Sequence, residues 1–199
     1  EAYFSELRSI LTDTANFGPN GRVRASFTIG SPRTVPLTPN SLNGLDVYFL
    51  SARDLVASDI TELTRFRNAG GAIVVNSNAP SFFDTTAWLG LTLSDRVVFG
   101  DGPAPYNVTH RATTPSQVVA SQTNHPILNG PFGTVSTFDN WHSVAGFLNN
   151  PPSGGSVLAR TTLTGASDDT GSGTPRTITG VGTLAAFPAK AFGAGSGPV

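Results

Sequence analysis

The residue closest to a nucleophile in type and position is Ser77, which follows an apolar run. The carboxyl end of such a strand is where open α/β sheets place their ligands. An acyl-transfer serine needs a base and an orienting acid, and His142 and Asp139 are the candidates for those roles. The three residues together would predict a serine-type hydrolase.

The local sequence around Ser77 fits that chemistry only in part. A nucleophile elbow needs small residues on both sides of the serine, because the strained turn brings backbones together. Ala79 satisfies this requirement and Val75 does not. The alternative is that Asn76, Ser77 and Asn78 end a strand and cap the following helix. We favour this second interpretation, so no catalytic residue is assigned.

A weaker form of the same hypothesis is a crevice at these strand ends that binds a ligand without catalysing a reaction. Ser51 and Arg53 follow the preceding apolar run and are predicted to line one crevice together with residues 76–78. The alternative for Arg53 is a local ion pair with Asp54, which contributes little if exposed.

Trp141 adds a possible contact for a carbohydrate. It lies in the sequence Asp139–Asn140–Trp141–His142, where an aromatic ring beside polar groups can form a platform for a sugar. The alternative, which we favour, is that Trp141 packs in the core and His142 is its exposed neighbour.

No metal or cofactor is predicted. The three histidines, His110, His125 and His142, match no short metal-ligand spacing. Residues 168–173 lack the spaced acidic series of a calcium loop, and no Gly-x-Gly-x-x-Gly follows a strand. His125 precedes a proline and is predicted to hold a turn through bonds to backbone groups.

Composition limits the class of protein. Hydrophobic residues make up 38% and charged residues 13% of 199, with 22 glycines and 15 prolines. This neutral surface, rich in hydroxyl and amide groups, is typical of exported bacterial proteins, so a secreted or cell-surface location is predicted. The net charge of −1 without a basic run argues against nucleic acid. No apolar run reaches the roughly 18 residues of a membrane span.

The residue types that are missing also carry information. There is no cysteine, which excludes disulfides and cysteine nucleophiles, and no methionine, which indicates a processed or excised piece. One domain over residues 1–199 is expected from the length. Residues 191–199 look like the entry to a further strand, so we expect a truncated carboxyl end.

Hydrophobic patterning predicts a βαβ unit in the first half of the chain. Its strands are the apolar runs 45–51 and 72–75, which suit a sheet buried on both faces. Between them, residues 58–69 form a helix that Gly70 and Gly71 end. A helix over 2–15 and a strand over 22–29 precede this unit.

The second half of the chain gives weaker patterns. A helix is predicted over 81–91 and strands over 95–99 and 155–160. Residues 164–180, rich in glycine, serine and threonine, are predicted to be an exposed loop. A final hairpin is predicted to pair 183–187 with 188–193.

Three phrases resemble the class I glutamine-amidotransferase-like superfamily. They are the βαβ unit with its Gly-Gly-Ala-Ile-Val-Val strand, residues 124–133 (NHPILNGPFG), and residues 190–195 (KAFGAG). The second is similar to a phrase of the non-catalytic, trehalose-utilisation-type branch of exported bacterial proteins. The resemblance covers about residues 20–199. It implies an α/β fold, namely a flavodoxin-like three-layer α/β/α sandwich with a mostly parallel sheet.

The departures from that family remove its chemistry. Amidotransferases carry a cysteine on a tight turn between glycines and a later His-x-Glu pair, and neither is present. The resulting hypothesis is a non-catalytic interaction or assembly domain with a protein partner or a second copy. The alternatives are a serine-type hydrolase and a carbohydrate-active or carbohydrate-binding domain.

Overall fold

The computed structural model describes the backbone of residues 2–51, 55–76, 87–92, 94, 97–98, 115–138, 143–144, 146–152, 154–165 and 176–199. Within these ranges the helices are α1 (Ala2–Thr12) and α2 (Ala57–Asn68). The strands are β1 (Val47–Ser51), β2 (Ala72–Asn76), β3 (Val97–Val98), β4 (Ser116–Val118), β5 (Asn129–Gly130), β6 (Gly133–Thr134), β7 (Thr137–Phe138), β8 (Ser143–Val144), β9 (Ser156–Gly165) and β10 (Arg176–Ala186).

The predicted βαβ unit is confirmed. Strands β1 and β2 pair in parallel, with Val47 opposite Ala72, and α2 connects them. Helix α2 ends at Asn68, just before Gly70 and Gly71. Gly70 has a φ of +98°, and a side chain at Gly71 would collide with the Phe66 ring.

One face of this parallel pair forms the core with α2. Leu50 and Ile73 point to the helix and are buried against Leu63 and Phe66. The loop before β1 closes the same core with buried Leu37 and other apolar side chains. Because side chains alternate along a strand, the neighbouring residues of β1 and β2 lie on the opposite side.

The C-terminal segment lies against the free edge of β2. The Ile73 N–H donates to the Pro198 carbonyl at 3.0 Å, and Phe187 and Val199 exchange two backbone hydrogen bonds. A side chain at Gly197 would collide with the Gly71 carbonyl. The glycine therefore permits the close approach of two backbones.

The larger sheet is antiparallel, in the order β10-β9-β4-β7. Its long pair, β9 and β10, has register shifts between Ile178 and Val181 and again near Gly182 and Leu184. Gly180 has a φ of +68° at the first of these irregularities. Such bulges bend the strand that carries them.

The predicted α/β three-layer sandwich with a mostly parallel sheet is wrong. Among the described strands only β1 and β2 are parallel, and the four-stranded sheet and the two small ribbons are antiparallel. The prediction extended one βαβ unit to the whole chain. Strands β9 and β10 pair in antiparallel register, unlike β1 and β2, which α2 connects in parallel register.

Several local predictions are also wrong. Within the predicted loop 164–180, residues 164–165 and 176–180 belong to strands, because alternating threonine and isoleucine outweigh the glycines, and residues 166–175 lie outside the described residues. The predicted strand 22–29 is reduced to one bridge between Val23 and Phe17. The hairpin of 183–187 with 188–193 is absent, since β10 pairs with β9 and 189–192 form turns.

The remaining predicted elements are shorter or longer than expected. The first helix ends at Thr12 rather than at residue 15. Residues 87–88 are helical and 97–98 form β3, while the rest of the predicted elements 81–91 and 95–99 lies mostly outside the described residues. The strand predicted at 155–160 is confirmed as part of β9.

Candidate functional site

The predicted crevice is described only at its first two residues. Ser51 and Asn76 are register partners at the ends of β1 and β2, so the structure brings their backbones together. The other residues predicted for the crevice or for catalysis lie outside the described part of the chain, namely Arg53, Ser77, Asn78, Asp139, Trp141 and His142. The catalytic and sugar-stacking hypotheses therefore stay predictions.

His125 holds a turn, as the sequence predicts. Its Nδ1 accepts a hydrogen bond from the Ile127 N–H at 3.3 Å. Its carbonyl accepts from the backbone N–H groups of Leu128 and Asn129 at 2.8 and 2.9 Å. These contacts give the imidazole a structural role next to the β5–β6 hairpin.

Asp59 is a completely buried carboxylate at the start of α2. Its Oδ1 accepts from the Leu37 N–H at 2.6 Å, and its Oδ2 accepts from the Val56 N–H at 3.0 Å. Asp59 is the third residue of the helix, and its bond from the N–H of the N-cap residue Val56 is one half of a capping box. The same side chain joins α2 to the loop before β1.

Glu62 holds the next part of that loop. Its two carboxylate oxygens accept from the Asn40 and Leu42 N–H groups, each at 3.0 Å. Arg65 donates to the same oxygens at 2.7 and 2.8 Å in a bidentate pair. These hydrogen bonds, the one from Arg65 above all, lower the pKa of Glu62 to about 2.

The depressed pKa of Glu62 predicts a loss of stability in acid. Its folded-state pKa of about 2 lies below its ordinary value of 4.5. The stabilisation is therefore complete above about pH 4.5 and is lost as the pH falls towards 2. Since Arg65 is 37% exposed and screened by solvent, we expect a loss on the order of 1–2 kcal/mol.

Urea denaturation at several pH values between 6 and 2 measures this effect. Glu62→Gln removes the titrating group, so its free energy of unfolding should vary less over that interval than that of the wild type. Equal pH dependence in the two proteins would contradict the assignment.

Arg67 is buried at the other end of α2, with 6% of its surface exposed. Its guanidinium lies between two rings, 3.9 Å from the centroid of Phe192 and 5.0 Å from that of Trp88. Its Nη1 is buried without a hydrogen-bond partner. Burial lowers the pKa of Arg67. The stack fastens the C-terminal loop to α2.

The outer face of the parallel pair is the surface that stands out. We use this name for Val47, Phe49, Ala72 and Val74, whose side chains lie opposite the core. Val47 is 41% exposed and Val74 is 46% exposed. Phe49 and Ala72 are half-buried between them. The outer face is thus apolar over the first three residues of each strand.

A second apolar surface joins the N-terminal region to the β5–β6 hairpin. The ring of Phe17 contacts those of Phe27 and Phe132, with centroid distances of 5.0 and 5.3 Å. The guanidinium of Arg22 lies 5.6 Å from the centroid of Phe132. Phe27 and Phe132 remain about half exposed.

The hydrophobic pattern of the sequence did not predict the outer face, and the reason is clear. The runs 45–51 and 72–75 are apolar at almost every position, so they carry no alternation that separates a buried face from an exposed one. The buried acids do have a signal. Asp59 and Glu62 fall on the same helical face as Leu63 and Phe66, a position that exposed carboxylates avoid.

Neither a metal-binding cluster nor a membrane-spanning helix is found among the described residues. No group of three histidine, aspartate or glutamate side chains there is placed to hold a metal ion. No helix in the same part of the chain has the length and apolar character needed to cross a bilayer. Comparisons of the chain with protein-family models and with curated proteins found no match.

Proposed function

We propose that this chain is a non-catalytic interaction or assembly domain, which the composition places in an exported or cell-surface bacterial protein. The observation that supports it is the outer face, where Val47 and Val74 expose nearly half of their surface to solvent. Kinship with the amidotransferase-like superfamily stays a prediction that rests on the short phrases in the sequence.

The physical argument concerns the pairing type of these strands. Parallel strands are normally covered on both faces, because their crossover helices pack on both sides. Here α2 covers the face that carries Leu50 and Ile73. Burial of apolar surface contributes about 25 cal/mol per Å². Covering Val47 and Val74 by a partner is therefore favourable.

The buried charges support a structural rather than a chemical role. Asp59 and Glu62 use their oxygens to fix backbone N–H groups of the 37–42 loop. Arg67 uses its guanidinium to hold two aromatic rings. In the described part of the chain the hydrogen bonds and ring contacts of these groups stabilise the fold.

A photocrosslinking amino acid at position 74 tests the proposal. We expect irradiation to link position 74 covalently to one specific partner protein, because in our proposal that partner covers the outer face. Position 148 provides the control, since Leu148 is an equally exposed apolar residue away from the βαβ unit. An excess of wild-type protein should compete for the partner and lower the yield of the adduct. An excess of Val74→Glu protein should not, because its outer face is altered.

Two outcomes would contradict the proposal. One is equal crosslinking from positions 74 and 148, or none from position 74. The other is covalent labelling of Ser77 by a fluorophosphonate probe, with loss of labelling in Ser77→Ala. The second result would favour the serine-hydrolase alternative. Binding on a glycan array that Trp141→Ala abolishes would instead favour the carbohydrate alternative.

A further inference from the structure

The turn before β1 contains an asparagine followed by a glycine, Asn43–Gly44, and both residues are exposed. The N–H of Asn43 donates to the Asn40 carbonyl at 3.1 Å, and that of Leu45 donates to the Leu42 carbonyl at 3.3 Å. The N–H of Gly44, which lies between them, has no hydrogen-bond partner among the described residues. Gly44 has a φ of +76°, and apart from its two neighbours no described atom lies within 4 Å of the position of a Cβ. The backbone nitrogen of Gly44 is therefore unhindered.

An asparagine in this setting loses its side-chain amide in a reaction with its own backbone. The backbone nitrogen of the next residue attacks the side-chain Cγ and closes a cyclic imide. The side-chain nitrogen leaves as ammonia, which in the net reaction takes up the proton of the attacking N–H. Water then opens the imide on one side or the other, which gives aspartate or an isoaspartate whose main chain runs through the side chain. Glycine is the most favourable following residue, because it has no Cβ to shield its nitrogen and its backbone rotates freely.

The chain contains two other Asn–Gly pairs. The first, Asn20–Gly21, lies in the turn that follows α1. The N–H of Gly21 donates to the Gly18 carbonyl at 3.2 Å. A side chain at Gly21 would collide with the backbone of Phe17, so the chain is closely packed around this glycine. Attack by the Gly21 nitrogen requires this hydrogen bond to break and the packing to open.

The other pair, Asn129–Gly130, forms strand β5. The side-chain oxygen of Asn129 accepts from the Thr134 hydroxyl at 2.9 Å. Gly130 is paired with Gly133 across the β5–β6 hairpin. The hairpin thus holds both the side chain and the backbone that would have to react.

We propose that Asn43 is the site at which the folded chain undergoes spontaneous deamidation, and that the isoaspartate formed there loosens the loop before β1. The inference does not depend on the partner of the outer face. Leu42, the residue before the site, is completely buried, and its N–H donates to Glu62 at 3.0 Å. Isoaspartate adds one methylene to the main chain between Leu42 and Leu45, whose hydrogen bond spans the turn. The longer chain cannot keep this bond and the position of Leu42 at the same time.

Peptide mapping by mass spectrometry, after incubation of the protein at 37 °C and pH 8, measures the conversion at each asparagine. In the folded chain we expect Asn43 to react at least fivefold faster than Asn20 or Asn129. In urea the three rates should converge, because the same dipeptide then reacts at each site without a fold. A rate at Asn43 that does not exceed the other two in the folded chain would overturn the proposal. So would the same order of rates in urea, since the neighbouring residues and not the fold would then decide it.

Asn43→Gln tests the effect on the loop, because glutamine must close a larger ring and reacts more slowly. The wild type should unfold at a lower temperature after incubation than before, and the isoaspartyl methyltransferase reaction should detect its isoaspartate. Incubated Asn43→Gln should keep its unfolding temperature. Asn129→Gln is the matched control and should lose stability on incubation as the wild type does. Circular dichroism checks that each fresh variant is folded.

Asn43→Asp separates the two products of the reaction. It carries the new charge without the extra methylene, and we expect it to unfold close to the temperature of the fresh wild type. If Asn43→Asp is as unstable as the incubated wild type, the charge and not the lengthened backbone loosens the loop. An unchanged unfolding temperature after full conversion at Asn43, or an equal loss in Asn43→Gln, would show that isoaspartate at this site does not loosen the loop.

Discussion

Asp59→Ala is expected to lower the free energy of unfolding by about 2–4 kcal/mol, because it leaves the buried Leu37 N–H without its acceptor and removes the part-buried hydrogen bond from the Val56 N–H. The carboxylate bonds to both groups and is completely buried. Water therefore cannot replace it without opening the loop before β1. Urea denaturation of wild type and variant measures the difference.

Two further variants make this result specific. Asp46→Ala removes an exposed carboxylate at the start of β1, and we expect a change within about 0.5 kcal/mol. Asp59→Asn keeps one acceptor oxygen and should lie between the wild type and Asp59→Ala. Asp59→Ala as stable as Asp46→Ala would show that the carboxylate does not hold the loop.

Arg67→Ala is expected to cost about 3–4 kcal/mol. It removes two cation–π contacts, each about 2 kcal/mol when desolvated, and it leaves a space between Trp88 and Phe192. Part of that loss is offset because the buried guanidinium has an Nη1 without a partner. Thermal and urea unfolding measure the total.

Substitutions of graded chemistry separate packing from charge at this position. Arg67→Met keeps the length of the side chain but loses both cation–π contacts, so we expect it to cost about 2–3 kcal/mol, less than Arg67→Ala because the space between the rings stays filled. Arg67→Lys keeps a charge but loses the flat stacking of the guanidinium, and it should be the less stable of the two. The opposite order would mean that the positive charge itself, rather than the stacked plane, holds the rings.

The sequence was sufficient for the βαβ unit because several independent signals agreed there. The two apolar strands, the hydrophobic pattern of the helix between them and the Gly70–Gly71 stop all indicated the same structure. The antiparallel sheet gave no such agreement. Its strands β4 and β7 have three and two residues, which are too short for periodicity to identify. The pairing of β4 with β9 and of β7 with β4 joins residues that are distant in sequence.

The candidate interaction surfaces could not be predicted for a related reason. An apolar run such as Val47–Tyr48–Phe49–Leu50 shows that burial of the strand is favourable. It does not show whether the fold covers one face of the strand or both. The aromatic cluster joins Phe17, Phe27 and Phe132, which have no regular spacing. By contrast, the turn at His125 depends on neighbouring residues, so its role followed from the local sequence.

The irregular register of β10 bears on the tendency of this chain to aggregate at high concentration. An 11-residue strand at the edge of a sheet presents backbone groups that can pair with another strand, and in β10 the bridge between Gly182 and Phe147 occupies part of that edge. The shifts around Gly180 and Gly182 bend β10 and interrupt its regular pattern of donors and acceptors. We therefore expect this bend to disfavour the stacking of further strands on β10, since regular cross-strand pairing needs an uninterrupted edge.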